Sequence, residues 1–141
     1  VVLNAFLEEC LAAHYGQFKE KGISPCVSLP DTPVERDLVP SSLSRILENI
    51  VSNALKYSSG DFSVSMDEDG KIVFSNRAPA LTPVTAGRLF DRFYTVETGR
   101  DSTGLGLSIA RLLTEQMGGG IDADYRDGCL FITLRFPERR A

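Results

Sequence analysis

The sequence predicts a two-layer α+β sandwich, a mixed sheet of about five strands covered on one face by three helices. Three long stretches carry apolar residues at helical period, and two pairs of short alternating stretches close through Asp-Gly or Asp-x-Asp-Gly turns. Glycine, proline and serine clusters separate them. The chain of 141 residues fits one domain with one core.

The elements follow in order. Residues 4–21 read as a helix with Phe6, Leu7, Leu11, Tyr15 and Phe18 on one side, ended by Gly22. Residues 23–29 read as a strand that Pro25 confines to the edge of a sheet, and the prolines of 30–40 make a loop. A second helix spans 41–57, with Leu43, Ile46, Leu47, Ile50, Val51, Ala54 and Leu55 on its apolar face, stopped by Ser58-Ser59-Gly60. Residues 62–66 and 72–74 form a hairpin around Asp67-Glu68-Asp69-Gly70. A loop at 76–82 and a short helix within 83–94 lead to a polar segment at 95–103. A third helix, 105–117, faces inward through Ile109, Leu112, Leu113 and Met117. After Gly118-Gly119-Gly120, strands at 121–125 and 129–136 meet at Arg126-Asp127-Gly128.

Composition narrows the function. A net charge of −4 gives no electrostatic reason to expect nucleic acid or an anionic membrane surface as a partner. No apolar run approaches the roughly 20 residues that span a bilayer, so membrane contact is not expected of this fragment. Cys10, Cys26 and Cys129 form no CxxC pair, and His14 lacks a ligand partner at metal spacing. Reduced structural thiols in a cytoplasmic setting are the expectation.

Two segments carry chemistry. On the second helix, at about 100° per residue, Asn49, Asn53 and Lys56 form a polar stripe beside the apolar face. Carboxamide oxygens suit a hard cation, and a lysine suits phosphate; Mg²⁺ needs only one or two protein oxygens. The alternative is a solvated edge on a packed helix. The second segment, Ser102-Thr103-Gly104-Leu105-Gly106-Leu107-Ser108, opens the third helix. Free N–H groups and the positive end of the helix dipole favour an anion there, and glycines let a phosphate approach the backbone. A plain helix-start turn is the alternative. No GK[ST] follows, so this is not a Walker A loop, and no strand–turn–helix precedes it as in a dinucleotide fold. The segment at 95–103 reads as a mobile lid, with Arg100 as a further phosphate contact, or as an ordinary surface loop.

These pieces resemble a known family. Ile46-Leu47-Glu48-Asn49-Ile50-Val51-Ser52-Asn53-Ala54-Leu55-Lys56-Tyr57-Ser58 is similar to the N-box of histidine-kinase catalytic domains. Phe90-Asp91-Arg92-Phe93-Tyr94 resembles the F-box, and Thr103-Gly104-Leu105-Gly106-Leu107-Ser108-Ile109-Ala110 the second glycine box, followed by a Gly118-Gly119-Gly120-Ile121 turn. The order and spacing match over about residues 1–136. The resemblance implies the Bergerat ATP-binding fold, with ATP and Mg²⁺ as cofactors. It implies Asn53 as the Mg²⁺ ligand, Asn49 and Lys56 at the phosphates, Tyr57 flanking the nucleotide, Gly104, Leu105, Gly106 and Leu107 cradling phosphate with Thr103 at their start, and 95–103 as the ATP lid.

The resemblance also implies a reaction. Hydrolysing members of the superfamily place a glutamate base where this chain has Asn49, which cannot take a proton from water. Glu48 points about 100° away on the helix. Phosphoryl transfer to a histidine on a separate hairpin domain is therefore expected over hydrolysis or an anti-sigma type of serine kinase. That hairpin, with its His-[Glu/Asp] acceptor, has no counterpart in this chain: His14 is followed by Tyr15 and lies in the first helix. A downstream response regulator is the implied partner, and the cytoplasmic side of a membrane-anchored parent the implied location. The first glycine box departs from the family's Asp-x-Gly-x-Gly: the aligned residues are Asn76, Ala78 and Ala80. Asn76 keeps an acceptor for the adenine amino group without the charge, and the alanines disfavour positive φ, so the loop must take another path. Weakened ATP binding is one expectation, and a sensor or interaction module without kinase activity the alternative.

Overall fold

The computed structural model describes residues 1–79, 81–90 and 106–137. The first helical stretch is divided: α1 spans Leu3–Ala13 and α2 spans Tyr15–Glu20. The break has a local cause. The His14 ring approaches the Cys10 carbonyl at 2.8 Å, the acceptor its own backbone N–H would take in a continuous helix, and that N–H turns to Leu11 O instead. Rotation at the break changes the inward face. Leu3, Leu7, Leu11 and Phe18 are buried, whereas Tyr15 stands 63% exposed, correcting its assignment to the apolar face. Gly22 takes φ 70°, and Ile23 N–H reaches back to Phe18 O at 2.8 Å, closing α2.

The edge strand β1, Cys26–Ser28, is shorter than the sequence suggested, because Pro25 cannot donate to a ladder. Helix α3, Pro40–Tyr57, starts with proline at its first turn and buries Leu43, Ile46, Leu47, Ile50, Val51, Ala54 and Leu55. Strands β2, Ser63–Met66, and β3, Lys71–Arg77, pair antiparallel. The turn between them is held by Asp67 Oδ1, which accepts the N–H groups of Asp69 and Lys71 at 3.0 and 2.9 Å. Asn76 belongs to β3, not to the loop expected at 76–82, because β5 pairs with it through Leu130.

A single turn, α4, spans Pro83–Ala86 and is capped by reciprocal bonds between Thr82 and Thr85. Helix α5 spans Gly106–Gln116. Its inward residues are Leu107, Ala110 and Thr114, not the larger side chains expected: Leu112 is 57% exposed, and Ile109, Leu113 and Met117 are half-buried. Small residues on this face let α5 lie close to α3, and the Thr114 hydroxyl is satisfied by Ala110 O at 2.7 Å. Strands β4, Gly120–Arg126, and β5, Cys129–Arg135, join through Asp127 and Gly128, both at positive φ as a two-residue hairpin turn requires.

The sheet order is β1-β2-β3-β5-β4, with β1 parallel to β2 and the other pairs antiparallel. Inward residues of the strands alternate in register: Val64 opposite Phe74, Phe74 opposite Ile132, Ile72 opposite Leu134, and Ile121 opposite Leu134. They pack beneath α1, α3 and α5. Phe18, Phe62 and Phe74 stack in a row through this core at 5.3 and 6.2 Å. Arg36 closes the far end. Its guanidinium donates to the carbonyls of Phe136, Glu35 and Asp69 at 2.6, 2.7 and 2.8 Å, joining the β1–α3 loop, the β2–β3 turn and the end of β5.

Candidate functional site

Helix α3 brings two predicted residues to the edge of the core in an unusual state. Asn49 Nδ2 and Asn53 Oδ1 are both buried from solvent, and neither has a hydrogen-bond partner among the described residues. Leaving such an atom unpaired costs about 1–3 kcal/mol, so folded proteins keep few of them. One orphan is a donor and the other an acceptor, a turn apart on one stripe, beside a donor and a point charge on Lys56. The Lys56 ammonium lies 5.1 Å from the centre of the Tyr57 ring, which is itself buried in the core.

The opening of α5 faces this stripe. A Cβ added at Gly106 would lie 3.9 Å from Cβ, Cγ and Oδ1 of Asn49, so the two predicted segments meet in space. Among the described residues, no acidic side chain occupies the first turn of α5 to oppose its positive end. The Leu107 side chain points into the core and can offer a ligand only its backbone. Glu48 lies on the side of α3 toward α1, where burial and, less strongly, its charge push the Cys10 thiol up to about 11. The group next to Asn49 in sequence is therefore turned away from Asn49 in space.

The third wall is the end of β3. Ser59 N–H donates to Arg77 O at 3.1 Å, and Arg77 N–H to Asp61 Oδ1 at 2.9 Å, which ties the end of α3 to the end of β3. The Ser58 hydroxyl in turn donates to the Asp61 carbonyl. Asn76 is buried on the helix-facing side of β3, and its Nδ2 donates to Arg77 O at 3.1 Å. Its carboxamide is thus oriented, with Oδ1 as the end directed away from that bond.

Beyond Asn76 the chain is held by backbone bonds at Ala78 and Leu81. Ala78 is fully buried, its N–H donates to Gly128 O at 2.9 Å, and Leu81 N–H returns to Ala78 O at 3.0 Å. The Tyr125 hydroxyl faces the carbonyls of Ala78 and Leu81 at 3.0 and 2.9 Å. Sequence reasoning missed Tyr125. The available signal was its place in the alternation Ile121, Ala123, Tyr125, which puts a phenol on the inner face where its hydroxyl needs a partner. Ala80, Arg100, Thr103, Gly104 and Leu105, the lid at 95–103 and most of the F-box lie outside the described residues.

A mixed five-stranded sheet with its helices on one face defines the class, and solved structures share it. The catalytic domain of histidine kinase ThkA superimposes with a TM-score of 0.82 at 24% identity, covering 98% of this chain and 93% of that one, a likeness of fold. Full-length histidine kinase ShkA, solved in complex with AMPPNP, matches with a TM-score of 0.75 at 26% identity, over 100% of this chain and 31% of that one. The sensor histidine kinase YcbM of Bacillus subtilis (strain 168) is 32% identical over 147 residues, which cover 96% of this chain and 47% of YcbM. Residues 38–140 match the family described as histidine kinase-, DNA gyrase B- and HSP90-like ATPases. The chain belongs to that family. It spans about half the length of YcbM and less of other curated sensor kinases that it matches.

Proposed function

We propose that this chain is the Mg·ATP-binding catalytic unit of a sensor histidine kinase, which passes the γ-phosphoryl group to a histidine on a separate hairpin domain. The observation that carries the proposal is the pair of partnerless buried atoms on α3. A donor at Asn49 Nδ2 and an acceptor at Asn53 Oδ1 fit a phosphate oxygen and a hard cation, and ligand binding would satisfy both. Bound Mg²⁺ would neutralise phosphate charge and so ease attack at the γ-phosphorus.

The chain's own residues supply position and charge. Asn53 offers the oxygen to the metal, while Asn49 donates and Lys56 brings a positive charge to the phosphates. The α5 opening at Gly106 and Leu107 presents backbone N–H groups, and in this reading Thr103, Gly104 and Leu105 would add theirs to the phosphate cradle. Arg100 and the lid at 95–103 would cover the phosphates. Asn76 and the adjoining segment through Ala80 would receive adenine, beside Tyr57. With an asparagine at position 49 and Glu48 turned toward Cys10, no carboxylate of α3 stands beside the orphan pair to activate water, which favours transfer over hydrolysis. In this reading residues 1–141 form one catalytic unit, a response regulator acts downstream, and the unit works on the cytoplasmic side of a membrane-anchored parent. Among the described residues, no helix is long and apolar enough to cross a membrane.

The buried Ala78 favours weighing a second reading, a nucleotide sensor or interaction module without kinase activity, because its methyl group fills the space a flexible glycine would leave. Calorimetric titration with ATP and a non-hydrolysable analogue, with and without Mg²⁺, tests the first reading. Addition of a separately purified acceptor hairpin from the same parent then tests transfer. Magnesium-dependent binding and a phosphorylated histidine are expected. Binding without transfer would move the assignment to the sensor, and no binding at millimolar nucleotide to the interaction module.

A further inference from the structure

We infer that Tyr125 is a positioning residue for nucleotide-base selectivity, holding the segment after Asn76 in place from the β4–β5 hairpin. The inference rests on the nucleotide-site reading above and adds a residue to it. Asn76 is the last inward residue of β3, and its carboxamide is oriented by Arg77 O. What lies beside it depends on the chain from Ala78 to Leu81. That segment has no glycine, yet it departs sharply from the strand, because Leu81 N–H folds back onto Ala78 O.

The hairpin supplies the restraint. Ala78 N–H is taken by Gly128 O. The carbonyls at both ends of the turn, Ala78 O and Leu81 O, converge on one phenol hydroxyl, which holds a single hydrogen between them. Tyr125 is itself half-buried against the core, so its ring is held by packing and its hydroxyl has a defined place. Without that hydroxyl Ala78 O would keep its bond from Leu81 N–H, but both carbonyls would lose their tie to β4, and the turn would be free to relax away from Asn76. The phosphate end of the site, on α3 and α5, makes no use of this bond. Loss of the hydroxyl should therefore disturb base recognition and leave phosphate recognition alone.

Tyr125→Phe keeps the ring and removes one oxygen, and the test compares two ligands on wild type and variant, both with Mg²⁺. ATP carries the base, and inorganic tripolyphosphate does not. The expected result is an ATP affinity about tenfold weaker, the size of one positioning hydrogen bond, tripolyphosphate affinity within twofold of wild type, and a narrowed preference for ATP over GTP. A domain merely loosened by the change would lose both ligands alike, and that result overturns the inference. So does an ATP affinity within twofold of wild type. If wild type binds ATP and the variant is unchanged, only the role of Tyr125 falls. If wild type binds neither ligand, the nucleotide-site reading falls and takes this inference with it.

Discussion

The two ends of the sheet treat their polar groups in opposite ways. At the far end, Arg36 donates to three carbonyls and Asp67 accepts from two backbone N–H groups, so the polar atoms there close on one another. At the other end, Asn49 and Asn53 keep a donor and an acceptor buried and unanswered. Both ends belong to one core, and α3 runs between them. Polar groups that answer each other within the chain hold the fold, and polar groups left unanswered wait for something else. Substitution at the first end should therefore cost stability, and at the second should cost binding.

The largest separation is expected at Asn53. Asn53→Ala should weaken Mg²⁺-dependent ATP binding about 100-fold, the loss of one interaction with a charged ligand. Its unfolding midpoint should be unchanged or higher, because a buried oxygen with no partner is removed. Calorimetry and urea titration read the two effects, and a destabilised variant would break the contrast. Arg36→Ala is the mirror case. It should lower stability by about 2 kcal/mol in urea while ATP affinity stays within twofold; an equal loss of affinity would show that the two ends are not separable.

Smaller effects sharpen the comparison. Asn76→Asp should strengthen ATP binding by roughly three- to tenfold through a charge-assisted bond to the adenine amino group, and no gain would remove Asn76 from base recognition. Gly106→Ala meets Asn49 only at ordinary van der Waals distance, so it should raise stability by about 0.5–1 kcal/mol while weakening ATP binding severalfold. Unchanged affinity there would mean that phosphate does not approach this backbone. The smallest effect lies between the ends, where α1 meets α3. Cys10 is raised above the ordinary thiol value to about 11, first by burial and then by Glu48. Its contribution to stability is complete below pH 9 and is lost as pH rises toward 11. At pH 8, exposed Cys26 should be alkylated well before Cys10, as peptide mass mapping would read; equal rates would contradict the burial.

The sandwich, its strand number and the face of α3 were legible because strong periodicity and turn chemistry agreed along the chain. The pairing of the α3 stripe with Gly106 was foreshadowed by motif order alone, since no spacing rule places residue 49 against residue 106. Three readings went astray, the first for a local reason and the other two for tertiary ones. The break at His14 comes from one ring competing for one carbonyl. Asn76 became strand because β5, far along the chain, extended the ladder. The inward face of α5 was set by the closeness of α3, which favours Ala110 and Thr114 over Leu112. The alternation of β4 pointed to an inward phenol at Tyr125, but its partners were not legible, because the hydroxyl acts on carbonyls that any residue could supply.

The strand order also has a consequence for synthesis. β3 carries Asn76 and lies between β2 and β5, so one of its edges has no neighbour until residues 129–135 have left the ribosome. Tyr125 and Gly128, which hold the segment after Asn76, arrive in the same late stretch. During translation the α3 stripe can exist well before the β3 wall beside it is locked. A nascent chain would thus present its phosphate-facing half early and its base-facing half only when the hairpin that restrains it has been made.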